Sequence, residues 1–238
     1  MSGDAKPFEV RFQLASDQSL LLHFGDSISL MTHLRIAKFL KQISENPIAG
    51  VVNIQPAYMS VLIKFDLRTT THDAVESVVR ERLRRIEGLK LPAPRLREIP
   101  VCYGGEFGPD LQEVAELHGL ALNEVVKLHS NATYTVYFLG FVPGFAYLGG
   151  LPEQLATPRL ATPRKSVPAG SVAIGGSQTG VYPSSTPGGW RIIGRTPLRL
   201  FDPSAAHASF FELGDEVRFK PISSERFARM ALQSKWQH

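Results

Sequence analysis

Positively charged side chains are concentrated in one stretch of the sequence, between Gly140 and Phe201. This stretch contains six cations and a single acid, Glu153, whereas the whole chain of 238 residues has a formal charge of only +4. The cations are Arg159, Arg164, Lys165, Arg191, Arg195 and Arg199. Because arginine binds carboxylate and phosphate groups well, the stretch predicts a site for an anion or an acidic partner. The alternative is a basic surface that simply faces solvent.

The same stretch is rich in glycine and proline. Between Gly140 and Asp202 it holds 11 of the 20 glycines and 8 of the 17 prolines of the chain. Glycine permits positive φ and close backbone approach, and proline fixes φ and removes a donor, so the backbone is specified residue by residue. We expect a binding surface shaped by tight turns. Its structural motif is predicted to comprise Gly144, Gly170, Gly188, Gly189 and Trp190.

Arg164 and Arg195 are the strongest candidates for holding the anion. Each lies close to a proline that stiffens its segment, and a guanidinium held in place can pair with a carboxylate through two hydrogen bonds. An ion pair with a structural carboxylate is an equally good interpretation of either arginine. The neutral hydrogen-bonding and aromatic residues predicted beside the ligand are Gln178, Tyr182 and Tyr147.

His129 is the candidate catalytic acid or base, since histidine titrates near neutral pH. The alternative is a structural histidine whose ring is fully hydrogen-bonded. Cys102 lies in an apolar run and predicts a buried strand thiol rather than a nucleophile. The sequence contains no phosphate-binding P-loop motif, no nucleophile elbow and no residue cluster at metal-ligand spacing, so no metal is expected. The chain is therefore not expected to be catalytically self-sufficient.

Composition and length indicate an ordinary globular protein with one large or two smaller domains. Hydrophobic residues make up 43% and charged residues 20% of the chain. The N-terminus lacks the apolar region of a signal peptide and no apolar run is long enough to cross a bilayer, so we expect a cytoplasmic protein without membrane contacts. Two short helical segments after residue 110 superficially resemble a helix-turn-helix. The second segment runs directly into a strand, so nucleic-acid binding is not expected.

The first part of the chain predicts an α+β domain over residues 1–94. Strands are expected over 8–14, 20–24, 51–54 and 60–65 from their apolar patterns. One helix is predicted to be capped at Asp26 or Ser27 and to end near Asn46, and a second to begin with a capping box formed by Asp73 and Glu76. The proline-rich residues 91–94 then form a linker.

The second part predicts a mainly β domain over residues 95–222, followed by a C-terminal helix and tail over 223–238. Strands are expected over 97–103, 134–139, 172–174, 191–193, 198–201 and 216–219, and helical segments over 110–118 and 122–129. Short apolar runs separated by turn residues are typical of a closed or sandwiched β architecture. The final helix is predicted to be capped by Ser224.

Three ordered motifs in the glycine-rich stretch resemble the allophanate hydrolase subunit 1 family. They read GF-x-PGF-x-YL-x-GL, then PR…PR-x-x-VPAGSVAI, then Q-T-x-x-YP-x-x-x-PGGW-x-x-IGRTP…LFD. The family includes the B subunit of bacterial ATP-dependent 5-oxoprolinase, to which the motifs are most similar, and the sporulation kinase inhibitor KipI. The resemblance implies a cyclophilin-like β-barrel and a homologous partner of the allophanate hydrolase subunit 2 type, such as the C subunit of 5-oxoprolinase.

The resemblance leaves more than one activity open. One is that the chain acts with the subunit 2-type partner and the lactam-hydrolase A subunit to convert 5-oxoproline to glutamate with ATP. A second is a regulatory module that binds a sensor histidine kinase, and a third is a component of a urea or amide carboxylase and hydrolase system. Neighbouring genes for the partner and the lactam hydrolase would favour the first.

Overall fold

The computed structural model describes residues 9–234 and separates into two compact units, Met1–Ala93 and Pro94–His238. The first unit contains four strands and two helices among its described residues. They are β1 (Arg11–Ser16), β2 (Ser19–His23), α1 (Leu30–Glu45), β3 (Val51–Pro56), β4 (Ser60–Phe65) and α2 (His72–Leu83). The strands form an antiparallel sheet in the order β1-β2-β4-β3.

Alternation along β4 shows how the sheet of the first unit acquires a buried face. Val61, Ile63 and Phe65 are fully buried, whereas the intervening Leu62 and Lys64 are exposed. The buried side chains pack in one cluster with apolar residues of α1 and α2, which recur at helical spacing. This cluster is the hydrophobic core of the unit.

Both helices of the first unit begin at residues other than the predicted caps. Ser29, not Asp26 or Ser27, caps α1, because its hydroxyl accepts from the Thr32 backbone N–H at 3.1 Å. The predicted capping box at the start of α2 is also wrong. Thr71 accepts from the Ala74 backbone N–H at 3.3 Å, and the Glu76 carboxylate instead pairs with Arg80 one turn later. The first residue of the strand predicted over 8–14 lies outside the described residues.

The second unit contains nine strands and three α-helices among its described residues. They are β5 (Leu96–Tyr103), α3 (Leu111–His118), α4 (Leu122–Asn131), β6 (Tyr134–Leu139), β7 (Ala146–Gly149), β8 (Arg164–Val167), β9 (Ser171–Gly175), β10 (Gln178–Val181), β11 (Thr186–Gly188), β12 (Arg191–Arg195), β13 (Glu216–Pro221) and α5 (Ser224–Ser234). A short 3₁₀ turn spans Glu153–Leu155. The predicted tail residues 235–238 lie outside the described part of the chain.

Seven of these strands close into a barrel in the order β10-β7-β6-β13-β5-β12-β9. Strand direction cannot alternate all the way around an odd number of strands, so closure requires a parallel neighbour pair. That pair is β5 and β13, in register from Leu96 opposite Glu216 to Val101 opposite Pro221. The other six neighbouring pairs are antiparallel. The remaining strands, β8 and β11, form a separate two-stranded ribbon.

The interior of the barrel is filled by alternate side chains from its strands. Tyr134, Val172, Ile193 and Phe219 are fully buried members of this cluster, which also includes residues of α3 and α4. The intervening residues of β7, β9, β10 and β12 therefore point outward from the barrel. The candidate site lies on this outer surface.

The strands of the glycine-rich stretch are only partly predictable. Strands β7, β8, β10 and β11 were not predicted, because they have only three or four residues and contain or border glycine or proline. The strand predicted over 198–201 is wrong. Only an isolated bridge between Phe201 and Ser209 forms there, and the Leu198 N–H bonds locally to the Thr196 hydroxyl instead of to a neighbouring strand.

Candidate functional site

A second apolar cluster lies on the outer wall of the barrel. Phe145 comes from the loop before β7, Tyr182 directly follows β10, and Trp190 directly precedes β12. The Phe145 ring lies edge-on to Tyr182 and Trp190, with centroid distances of 5.3 and 5.7 Å. Val167 of the β8–β11 ribbon and Tyr147 of β7 pack against the same cluster. Aromatic pairs in this geometry are favourable and hold their rings in place.

Glycines allow the backbone to lie directly against these rings. A Cβ atom at Gly175 would be 2.5 Å from the Trp190 indole nitrogen, and one at Gly188 would be 2.5 Å from the Tyr182 hydroxyl oxygen. Both distances are far below van der Waals contact, so no other residue fits without moving a buried ring. The glycine content of the stretch is thus explained in part by packing around the aromatic cluster.

The cluster forms the floor of a pocket of about 210 Å³. Five of its ten lining residues are aromatic, and a single charged residue, Arg159, contributes to its lining. The lining residues are Phe141, Phe145, Tyr147, Arg159, Pro163, Tyr182, Pro187, Gly188, Gly189 and Trp190. A concave apolar surface with few polar groups is typical of a small-molecule site.

Five of the residues singled out in the sequence line this pocket together. They are Tyr147, Tyr182, Gly188, Gly189 and Trp190. Two others shape turns of the second unit. Gly144 and Gly170 both have φ of +81°, and Cβ atoms at these positions would be 2.7 Å from the Phe201 Cβ and 2.3 Å from the Thr196 carbonyl oxygen.

Arg164 lies beside the pocket but its guanidinium is bound to a carboxylate of the same unit. Its Nη2 donates to Asp110 Oδ1 at 2.6 Å, and the Asp110 side chain is only 8% exposed. Asp110 Oδ2 accepts from the Ile192 backbone N–H, also at 2.6 Å. Arg164 is therefore in a structural ion pair, which is one of the two interpretations that the sequence allowed.

Arg195 and Gln178 do not line the pocket. The Arg195 Nε donates to the Ala169 carbonyl oxygen at 2.8 Å, which leaves its positive charge without a carboxylate partner in the described part of the chain. Gln178 begins β10, and strand alternation places it on the same outer face as Gly180 and opposite to the buried Thr179. Anion binding by Arg195 and Gln178 stays a prediction.

His129 lies inside the barrel wall and is completely buried. The Thr179 hydroxyl donates its only proton to the Ala173 carbonyl oxygen, so it accepts from His129 Nε2 at 2.9 Å. Nδ1 then accepts from the Tyr103 hydroxyl at 2.8 Å. Burial lowers the pKa of His129 to about 3, so the ring is neutral around pH 7.

The surroundings of His129 argue against the catalytic role predicted for it. Both of its ring nitrogens are engaged, and the ring stacks on Phe219 with a centroid distance of 4.5 Å. A neutral ring with both nitrogens bonded inside the core has no free position for a substrate proton. We expect His129 to hold α4 against the barrel rather than to transfer protons.

Sequence reasoning missed five of the ten residues that line the pocket, and two of these, Arg159 and Phe141, matter most for its chemistry. Arg159 was counted with the other cations but was not distinguished from them; its signal was the first of the two Pro-Arg pairs in the family motif. Phe141 has φ of +67° and is the one non-glycine residue with positive φ among residues 9–234. Nothing in its local sequence indicates this conformation, which was visible only in the structure.

A model of a known protein family matches most of the chain. The family is the carboxyltransferase domain, subdomains C and D, and its model matches residues 10–211. The chain belongs to this family. The match includes the sheet of the first unit and the aromatic pocket of the second.

Named relatives extend the similarity to nearly full length. The chain is 41% identical over 230 residues to the B subunit of 5-oxoprolinase from Bacillus subtilis, covering 92% of this chain and 96% of the relative. It is 46% identical over 215 residues to the protein of the same name from Escherichia coli O157:H7, covering 89% and 95%. The similarity predicted from the three sequence motifs is therefore confirmed.

A solved structure supports the fold at lower sequence identity. The crystal structure of the Kluyveromyces lactis urea amidolyase matches with a TM-score of 0.78 at 19% identity, over 95% of this chain and 16% of that one. At this identity the match establishes the fold alone.

Within residues 9–234, no helix has both the length and the apolar character needed to cross a membrane.

Proposed function

We propose that this member of the carboxyltransferase domain family is the B subunit of an ATP-dependent 5-oxoprolinase. The observation that carries the proposal is the 41% and 46% identity to two relatives of that name over almost their entire lengths. The pocket adds support, because its aromatic wall and single guanidinium suit a small cyclic carboxylate. The enzyme would open the lactam ring of 5-oxoproline to give glutamate in the cytoplasm.

The reaction explains why ATP is required. Hydrolysis of an unactivated lactam is uphill under mild conditions, so the proposal includes transfer of the γ-phosphoryl group of ATP to the lactam oxygen. Water then attacks the activated ring carbon and the carbon–nitrogen bond breaks, which gives the open-chain acyl phosphate of glutamate. A second water hydrolyses this acyl phosphate to glutamate and inorganic phosphate. Fixed cations near the reacting oxygens stabilise the charge that develops during such transfers.

The described residues of this chain do not by themselves fit ATP. The pocket, of about 210 Å³, has one lining cation, whereas a nucleoside triphosphate is large and carries several negative charges. The sequence also lacks a P-loop motif. We therefore assign ATP to the assembled enzyme, formed with a C subunit of the allophanate hydrolase subunit 2 type and the lactam-hydrolase A subunit.

The proposal also includes a finer description of the domains. We propose an α+β domain over 1–94, a cyclophilin-like barrel over 95–222 and a C-terminal helix with a tail over 223–238. The closed seven-stranded barrel and the sheet with two helices support this division. Binding to a histidine kinase stays a prediction. The urea amidolyase match supports a similar fold and not a shared substrate.

Gene deletion in the source organism tests the proposed function. Without this chain, cells should accumulate 5-oxoproline and fail to grow on it as the nitrogen source, while growth on glutamate is normal. Restoring the gene should restore growth on 5-oxoproline. A deletion strain that consumes 5-oxoproline at the normal rate, in a genome with no second copy, would contradict the proposal.

A further inference from the structure

Arg159 is the cation of the pocket, and it forms no ion pair with a carboxylate of residues 9–234. Three neighbouring cations differ in this respect, since Arg164 pairs with Asp110, Arg191 with Glu113 and Arg199 with Asp202. The Arg159 guanidinium lies over the Trp190 ring, 5.8 Å from the ring centroid. Arg159 is exposed, so its guanidinium can bind an anionic group that enters the pocket beside the aromatic wall.

The wall around Arg159 is suited to a small flat ring. Tyr147, Tyr182 and Trp190 provide aromatic faces and edges, and the Phe138 ring stacks on Tyr147 at 4.4 Å and fixes it from outside. Burial raises the pKa values of the Tyr147 and Tyr182 hydroxyl groups, so both are neutral hydrogen-bonding groups around pH 7. The Trp190 backbone opposes this rise in the pKa of Tyr182, but burial is the larger effect.

Phe141 adds an unusual feature at the rim of the pocket. Its backbone is in the left-handed region, at φ of +67°, and its side chain is 59% exposed. The ring lies edge-on to Phe145 and Tyr182, at 5.6 and 6.5 Å. A bulky residue in this backbone region is strained, and such strain is concentrated at ligand sites. The conformation keeps an aromatic ring at the mouth of the pocket, where a ligand would contact it.

We propose that this pocket is the substrate site of the chain, with Arg159 bound to the carboxylate of 5-oxoproline and the aromatic wall around its lactam ring. The inference rests on the proposed function, since it takes the substrate from it. The pocket volume of about 210 Å³ suits one small ring with its carboxylate. The tyrosine hydroxyl groups would meet the lactam carbonyl and N–H groups, which leaves the lactam oxygen next to donors.

Fluorescence of Trp190 provides a direct test on the full-length chain. The sequence contains two tryptophans, and a Trp236→Phe substitution makes Trp190 the sole emitter. Titration with 5-oxoproline should change its emission and saturate. Arg159→Ala should weaken binding by about 10- to 100-fold, the equivalent of one charge-assisted hydrogen-bonded pair. Lys165→Ala is the matched control, because it removes one exposed charge from the same stretch outside the pocket lining.

A second ligand isolates the role of the carboxylate. The lactam 2-pyrrolidinone has the same ring without the carboxylate, so its affinity should be the same for the Arg159→Ala and unsubstituted proteins. Equal affinity of both proteins for 5-oxoproline would overturn the assignment of Arg159. Failure of both ligands to change Trp190 emission at millimolar concentration would overturn the site.

The outcome for the site is distinguishable from that for the proposed function. If the assembled enzyme opens 5-oxoproline but Trp190 does not respond, the site is wrong and the function stands. If the chain binds 5-oxoproline through Arg159 but the assembled enzyme releases no glutamate, the site stands and the proposed reaction is wrong.

Discussion

Asp110 joins two parts of the barrel unit through its two carboxylate oxygens. One oxygen accepts from Arg164 on β8 and the other from the Ile192 backbone N–H on β12, both at 2.6 Å. The carboxylate is nearly buried, so its charge depends on these partners. At this position the sequence left two interpretations of Arg164 open, since it cannot show which acid, 54 residues away, lies beside it.

Replacing Arg164 is therefore expected to reduce stability. Arg164→Ala should lower the free energy of unfolding by about 2 kcal/mol, because it leaves a buried carboxylate without its cation. Arg164→Lys should recover part of the loss. Urea unfolding measures both, and the cost of Arg164→Ala should shrink in an Asp110→Asn background, where the charge is already gone. Unchanged stability with lost enzyme activity would instead support the anion-binding role.

The His129 ring predicts a specific dependence of stability on pH. Its pKa falls from an ordinary value of 6.5 to about 3 because the ring is buried. Below pH 6.5 the unfolded chain therefore binds a proton that the folded chain does not, so stability is full above this pH and decreases as the pH falls. From about pH 7 to about pH 5 the loss from this residue should be about 2 kcal/mol.

His129→Gln tests this dependence and the role of the residue together. Glutamine can still donate to Thr179 but does not titrate, so the thermal midpoint of the variant should fall less between the two pH values than that of the unsubstituted protein. Enzyme activity per folded molecule should be retained. Identical pH profiles for the two proteins would show that His129 is not the group responsible, and a selective loss of activity would restore its catalytic role.

At the scale of elements, the β8–β11 ribbon and the outer barrel wall meet through glycines. Patterns of apolar residues predicted β6 with its exact limits and most of β5 and β9, since these strands bury alternate side chains in a core. The same patterns could not predict β10 or β11. Both strands contain a glycine, Gly180 or Gly188, where an alternating apolar side chain would have indicated a strand. Each glycine instead contacts an aromatic ring from another part of the chain, which the local sequence does not show.

Adjacent glycines at the end of β11 offer a matched comparison. A Cβ atom at Gly188 would be 2.5 Å from the Tyr182 hydroxyl oxygen, whereas at Gly189 the nearest heavy atom would be 3.6 Å away. Gly188→Ala should therefore lower the thermal midpoint by about 2 to 8 °C through overpacking, and Gly189→Ala by about 1 °C or less. Calorimetry of the two variants measures the difference. Equal midpoints would mean that Tyr182 moves aside without cost.

At the scale of the whole molecule, the chain has the features of one component of an enzyme rather than of a complete enzyme. The sequence contains no P-loop or nucleophile elbow, and the pocket of the second unit suits a small ring better than a nucleotide. The three motifs between Gly140 and Asp202 were sufficient to predict the family of the chain. Their glycines, prolines and aromatic residues specify one backbone conformation, so they are distinctive. The pocket itself was not predictable as a unit, since its residues are brought together by barrel closure.

As one component of an enzyme, the chain is expected to associate with a partner subunit. Co-expressed with a C subunit of the allophanate hydrolase subunit 2 type, the chain should elute from gel filtration as one complex at micromolar concentration. The Arg159→Ala variant should assemble equally well, because we place Arg159 in a ligand pocket and not in the association surface. Separate elution of the two unsubstituted chains would count against a stable complex.

Reconstitution of the enzyme from its three purified components, with this chain as the B subunit, tests the central claim most directly. The measurement is glutamate released from 5-oxoproline together with ADP released from ATP. We predict that both appear in equal amounts, that neither forms when this chain is omitted, and that this chain alone produces neither. Glutamate formed at the same rate without this chain, or none formed by all three components with ATP, would contradict the claim.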